Sequence, residues 1–243
     1  MIKRVDFSGK TALITGATGA IGSAVAKRLA QEKVNLILIS SGEDRLNKLK
    51  EDFSSHDIET EGIICDLSSL TELTHLINNE LKNRRVDILI NSAGVFPNKP
   101  IHEMKPEDYL SVLNVNLNAA YLLCASMSSG MVQSSWGRIV NVGSSSCYSG
   151  FRNTTAYCVS KHGMLGLSRS LHDELKDLGV RVYNISPSST QGRMGLATVG
   201  QDYSTFLDPD EVADYIMFVI SHDGNVMSEE VFLKRMLTSP RLK

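Results

Sequence analysis

The sequence lacks any run of about 18 apolar residues that would offer a membrane span. Its N-terminus, MIKRVDFSGK, lacks the apolar core of a signal peptide. A cytoplasmic protein with no membrane partner is therefore expected. Basic excess is missing too: 25 Lys and Arg stand against 27 Asp and Glu, a formal charge of −2, which argues against a nucleic-acid or anionic-lipid partner. Cysteine is sparse. Cys65, Cys124, Cys147 and Cys158 are widely spaced and form no CxxC pair, so they read as reduced thiols rather than a metal site or disulfide framework. No internal repeat, low-complexity linker or composition break divides the chain, which points to a single domain over 1–243.

What the chain does have is alternation. Short β-rich runs at 11–15, 34–39, 60–65, 86–90, 138–142 and 180–185, with another near 230–234, are apolar on both sides. That is the pattern of parallel strands covered on both faces. Helical segments near 21–31, 43–54, 69–84, 106–130, 155–178 and 209–221 fall between them. Strands alternating with helices throughout require βαβ units, hence an α/β fold with a doubly wound parallel sheet.

The first strand runs into TGATGAIG, residues 15–22. Gly16, Gly19 and Gly22 let backbone turn tightly and approach a pyrophosphate, with Thr18, Ala20 and Ile21 in the same turn and a helix N-terminus behind. A strand before and a helix after give this spacing its dinucleotide-binding sense. At the end of the second strand, Ser40 and Ser41 stand where a carboxylate would take the ribose of NAD. Its absence favours NADP(H) over NAD(H). Arg45 either reaches the extra phosphate or is a solvated helix charge. The third strand ends in CDLSS (65–69), where Asp66, beside Leu67, either accepts from an adenine amino group or caps the next helix, a task Ser68 could equally take. The fourth ends in NSAG (91–94): Ala93 and Gly94 leave room for a cofactor, and Asn91 can tie strand ends together.

Tyr157 and Lys161 lie four residues apart at the head of a stripe continuing through Met164, Ser168, Leu171, Leu175 and Leu178. The stripe should face protein, so its first turn points both polar side chains inward or along a cleft. A fixed ammonium favours phenolate and should pull the tyrosine pKa down towards working pH, fitting it to exchange a proton with a carbonyl or alcohol oxygen. Upstream, GRIVNVGSSSCYSG (137–150) ends a strand in a serine run whose Ser144 precedes Tyr157 by thirteen residues.

Taken in order, TGATGAIG, CDLS, NSAG, Ser144 and Tyr157-x-x-x-Lys161 make the chain resemble the single-domain short-chain dehydrogenase/reductase family from about residue 8 to 222. The resemblance implies a Rossmann-type fold of about seven strands and hydride exchange between a nicotinamide and a carbonyl/alcohol pair. It implies Tyr157 as general acid/base, Ser144 as holder of the substrate oxygen, and Lys161 as tuner of the tyrosine and ligand of the nicotinamide ribose. It further implies that Asn116, in LNVNLNAAYLL (113–123), holds a relay water, and that Pro187 and Thr190 adjoin the nicotinamide. A homotetramer or homodimer is implied through the two long helices, where Ala119, Ala120, Gly163 and Gly166 would permit close approach or pack within one subunit. A 3-oxoacyl thioester, a sugar, a polyol and a steroid-like ketone are candidate substrates, the first being frequent in the family.

Three departures qualify the match. Ala20 replaces the usual second glycine, and the 16/19/22 spacing resembles the branch acting on nucleotide sugars, so an epimerase or dehydratase is an alternative. Ser188 follows Pro187 where glycine is usual. The segment 188–208 is short and the usual Asp-Gly-Gly ending is replaced by MSEEVFLKRMLTSPRLK, which suggests a shallow, open pocket and leaves a catalytically weak cofactor-binding regulator as a second alternative. QGRMGLATVGQ (191–201) is rich enough in glycine to move freely without ligand.

Overall fold

The computed structural model describes residues 4–198 and 200–237. Seven strands form one parallel sheet: β1 (Thr11–Thr15), β2 (Asn35–Ser40), β3 (Thr60–Ile64), β4 (Ile88–Asn91), β5 (Gly137–Val142), β6 (Val180–Pro187) and β7 (Glu230–Leu233). Their order is β3-β2-β1-β4-β5-β6-β7, so the chain reverses its direction of travel between β1 and β4. The last strand, expected near 230–234, is there as Glu230–Leu233, with Lys234 just past its end.

Helices α1 (Ala20–Gln31), α2 (Glu43–Glu51) and α8 (Pro209–Ile220) cover one face, while α3 (Leu70–Leu76), α5 (Ala119–Gln133) and α6 (Thr155–Leu175) cover the other. The period-two geometry of a strand explains how both faces are served. In β1, Ala12 and Ile14 enter the core beneath α1 and α8, whereas Leu13 enters the opposite core with Leu123 and Met127 of α5. Each such fully buried aliphatic side chain contributes about 1.5–3 kcal/mol of transfer free energy. Arg138 is a charged residue buried within these strands. It lies in β5, donates to the Ile220 and His222 carbonyls, and pairs with Asp223 at 3.1 Å.

The fourth expected helix runs from α4 (Pro106–Leu113) through a π-helical turn, Asn114–Asn118, into α5. Among the described residues, this Pro106–Gln133 run is long and apolar enough to cross a membrane by length and composition, contrary to the sequence expectation. Its apolar side is spent on the second core instead, and its asparagines bond to neighbouring segments. The α6 stripe faces protein through Met164, Ser168 and Leu175, with Leu171 half-buried. Leu178 falls past the end of α6 in a 3-10 turn and is exposed. Two short helices, α7 (Arg193–Leu196) and the 3-10 turn Tyr203–Thr205, occupy the region expected to be free loop.

Candidate active site

The carboxyl ends of the strands converge on one cleft of about 730 Å³, at the reversal point between β1 and β4. This is the edge at which open α/β sheets take ligands. Gly16, Gly19, Ala20, Ile21 and Gly22 line its floor. Gly16 adopts φ +61, and a β-carbon there would lie 2.7 Å from the Ala93 Cα, so the turn can pass this close to β4 only without a side chain. The N-cap of α1, Gly19, makes no side-chain cap bond, and the first turn carries no acidic residue. The amide end of a twelve-residue helix therefore faces the cleft uncompensated, a fit for a pyrophosphate.

Ala20, the substituted glycine, has a counterpart across the cleft. A β-carbon on Gly192 (φ +134) would come within 2.7 Å of the Ala20 methyl group. The glycine lost at 20 is met by one at 192, and α7 closes over the first turn of α1. On its other side Met194 reaches the neighbourhood of Gly94. The short segment expected to leave the pocket open thus lines the cleft through Gly192 and Met194. A backbone bridge from Thr190 to Leu207 and a bond from the Gly192 N–H to the Tyr203 hydroxyl (2.8 Å) hold the cover in place.

Most expected cofactor residues line this cleft, including Ser40, Ser41, Asp66, Leu67, Ala93, Gly94, Pro187 and Thr190. Two do not. Thr18 turns its hydroxyl to that of Ser40 at 2.8 Å, which leaves Ser41 as the open hydroxyl of the pair. Asn91 is buried behind the wall, where its amide donates to Asn141 Oδ1 at 2.8 Å, tying β4 to β5 as its position suggested. At the end of β3, Ser69 rather than Ser68 or Asp66 caps α3 by accepting from the Glu72 N–H. Asp66 accepts from the Ser68 N–H at 2.9 Å and stays exposed on the wall. Arg45 folds back over Gly42 beside Ser41.

Tyr157, Ser144 and Lys161 meet at the far end of the cleft. The β5 strand delivers Ser144 in extended backbone (φ −170), where its Oγ accepts from the Ser146 N–H at 3.1 Å on the cleft wall it shares with Tyr157. Phe96 packs edge-on against the Tyr157 ring, with centroids 4.8 Å apart. The Lys161 Nζ donates to the Val142 carbonyl at 2.7 Å and lies 5.8 Å from the centre of the tyrosine ring.

The electrostatics correct one expectation. Burial pushes the Tyr157 hydroxyl up to about 12, with Ser144 pulling the other way, so the phenol is not acidified in the protein alone. The reason is burial, which disfavours the phenolate, while the Lys161 ammonium is committed to the Val142 carbonyl. Burial also drives Lys161 down, to about 8.

The Lys161 shift has a consequence for stability. Between about pH 8 and its unfolded value of 10.5, the unfolded chain holds more of this proton. Stability therefore rises with pH across that window and carries the full penalty below it. Replacing Lys161 with methionine removes that penalty, about 3 kcal/mol, at the cost of about 1 kcal/mol for the orphaned Val142 carbonyl. The variant should melt on the order of 5 °C higher at pH 7 while losing activity. A melting temperature equal to or below that of the parent, by calorimetry, would refute the assignment.

Asn116 is withdrawn from the cleft. Its amide clamps Val95 through both backbone groups, accepting from the N–H at 2.8 Å and donating to the carbonyl at 3.0 Å, and it donates also to Ser160 Oγ. The π turn supplies the register for this, since the extra residue per turn brings Asn116 inward. With the amide so occupied, the side chain acts as a clamp on the 94–96 loop.

Several wall residues have no sequence motif: Val95, Phe96, Val142, Arg152, Met194 and Gln201. They come from five separated segments, and only the strand-edge position of Val95, Phe96 and Val142 was a usable signal.

Comparison with known proteins agrees with this geometry. A family model described as short chain dehydrogenase matches residues 10–201. The 3-oxoacyl-[acyl-carrier-protein] reductase of Rickettsia conorii is 34% identical over 191 residues, covering 78% of this chain and 76% of the relative. Among solved structures, a metagenomic short-chain oxidoreductase in complex with NADP superposes with a TM-score of 0.83 at 29% identity, covering 96% of this chain and all of the other. A short-chain dehydrogenase from Sphingobium yanoikuyae in complex with NADPH gives 0.80 at 27% identity, covering 93% and 87%. With a glycine turn, an uncapped helix end and a Ser-Tyr-Lys set on one strand edge, the chain belongs to the short-chain dehydrogenase/reductase family of oxidoreductases.

Proposed function

We propose that the protein is an NADP(H)-dependent reductase of carbonyl substrates, with a 3-oxoacyl thioester as the substrate class. The observation that carries the reading is the convergence of Ser144, Tyr157 and Lys161 on a cleft whose other end is the uncapped α1 terminus. Gly16, Gly19, Ala20 and Ile21 would hold the pyrophosphate, Asp66 the adenine, and Lys161 the nicotinamide ribose. β2 ends in Ser40 and Ser41 rather than in a carboxylate, with Arg45 folded back near Gly42, which favours NADP(H). When bound, the dinucleotide supplies the hydride. The relatives named above support both the cofactor and the thioester.

The protein's own work is proton delivery and positioning. With the Tyr157 hydroxyl protonated up to about pH 12, the chain is poised as an acid, which suits reduction of a carbonyl. Ser144 orients the substrate oxygen towards that hydroxyl. Lys161 keeps a positive charge near the ring as the phenolic proton leaves, for as long as it remains protonated itself.

The test joins substrate and pH. With saturating NADPH, the protein should reduce 3-oxoacyl thioesters, and kcat/KM should hold level from about pH 6 and fall as Lys161 deprotonates near 8. No reduction of any 3-oxoacyl thioester would remove the substrate assignment, and a rate that climbs through pH 9 would remove the role given to the lysine.

The epimerase alternative is not favoured. It rests on the 16/19/22 spacing, and Ala20 has a local explanation in Gly192. The regulator alternative rests on an altered lid, which nevertheless folds over a complete Ser-Tyr-Lys set. Assembly into a homodimer or homotetramer is also proposed. Of the four small residues considered for it, Ala119 and Ala120 are buried within the subunit and Gly163 packs on Leu117, leaving Gly166 exposed. Light scattering on the purified protein reads the state directly.

A further inference from the structure

Two departures from the family pattern, Ser188 and the altered C-terminal segment, touch each other in the fold. The Ser188 N–H donates to the Leu233 carbonyl at 2.8 Å, and the Arg235 N–H donates to Ser188 Oγ at 3.1 Å. From this anchor the Arg235 guanidinium reaches across the cover of the cleft. Its Nη2 donates to Gln201 Oε1 at 2.7 Å, its Nη1 donates to Thr205 Oγ1 at 3.0 Å, and it lies 5.1 Å from the centre of the Phe206 ring. Gln201 Oε1 also accepts from Ser189 Oγ at 2.9 Å. Ser188, Ser189 and Gln201 are all cleft-wall residues.

The connection continues to the cover itself. Phe206 is buried and packs with Tyr203, and both rings lie against Gly195 of α7. The α7 helix in turn places Gly192 against Ala20 and Met194 near Gly94. One residue from beyond the last strand thus joins both ends of the cover, Ser188 through its backbone N–H and Gln201, Thr205 and Phe206 through its guanidinium. Short surface segments of this kind open locally at low free-energy cost unless tied down. A guanidinium held by two acceptors and an aromatic face supplies such a tie, since its planar fork is preorganised to make several bonds at once.

We propose, on the basis of the reductase reading above, that Arg235 is a positioning residue. It latches the α7 cover and so sets how tightly substrate is held, without touching the reacting atoms. A less populated closed state lowers apparent affinity in proportion. The predicted signature is therefore a rise in KM with kcat preserved.

The test compares the parent chain with Arg235→Ala, Arg235→Lys and Ser188→Ala by two readouts. One is steady-state reduction of a 3-oxoacyl thioester with NADPH. The other is trypsin cleavage after Arg193, an exposed residue within α7, followed by mass spectrometry against cleavage sites elsewhere in the chain. For Arg235→Ala, KM should rise about tenfold with kcat within about twofold, and Arg193 cleavage should quicken by a similar factor. Arg235→Lys should recover part of both, and Ser188→Ala should move both in the same direction by less. Unchanged cleavage at Arg193 overturns the proposal, as does equal acceleration at every site, which would mean general loosening. A fall in kcat with KM unchanged overturns it too. If the parent reduces no 3-oxoacyl thioester, the functional reading fails while the cleavage pattern still decides whether the latch exists.

Discussion

Replacing Tyr157 with phenylalanine should lower reductive turnover by on the order of 10³-fold while leaving dinucleotide affinity within about twofold. The substitution removes one oxygen and nothing else that the fold uses. The ring keeps its edge-on contact with Phe96, and Ser160 still bonds to the backbone carbonyl of residue 157. What disappears is the hydroxyl that shares the cleft wall with Ser144, the group with a proton to give to a substrate oxygen. The pyrophosphate end, where most dinucleotide affinity would arise, lies on β1 and α1 and is untouched. The measurement is a single-turnover rate beside a fluorescence titration with NADPH. A phenylalanine variant that turns over within tenfold of the parent would show that the proton comes from elsewhere.

The second large effect is expected at Gly16. Alanine there must adopt φ +61 and place its methyl group 2.7 Å from the Ala93 Cα and 2.8 Å from its nitrogen, both rigid backbone atoms. Left-handed backbone costs an alanine about 1 kcal/mol, and overpacking against atoms that cannot yield costs about 1–3 kcal/mol more. The sum, about 2–4 kcal/mol, corresponds to a melting point lower by on the order of 10 °C in a domain of this size. Cofactor affinity should fall with it, because relief of the clash pushes the β1 turn away from β4 and misplaces the α1 amides. Calorimetry with and without NADPH reads both effects. A Gly16→Ala protein that melts within about 2 °C of the parent and binds normally would refute the close approach.

How much of this was legible in the sequence depended on how local the cause was. All seven expected strands and all the expected helices formed near their expected bounds, because apolar runs bounded by turns carry their own signal. The glycine turn and the Tyr-Lys spacing were legible for the same reason. Thr18 and Asn91 do not line the cleft although their neighbours in the chain do. Thr18 turns to Ser40 and Asn91 to Asn141, partners 22 and 50 residues away. The lysine's effect on the tyrosine was misjudged similarly. Spacing placed the two side chains on one helix face but gave no account of burial, which moves both groups against their charged forms.

By itself the sequence determined the class of fold and the strand edge on which the glycine turn and the Tyr157–Lys161 pair come together, since period, turn chemistry and spacing are properties of short segments. Only the tertiary structure decided that Ala20 is answered by Gly192, that Asn116 clamps Val95, and that Ser188 and Arg235 belong together. Each of those pairings joins residues far apart in the chain, and whether two side chains meet is settled by how helices and strands pack, not by what either segment prefers alone.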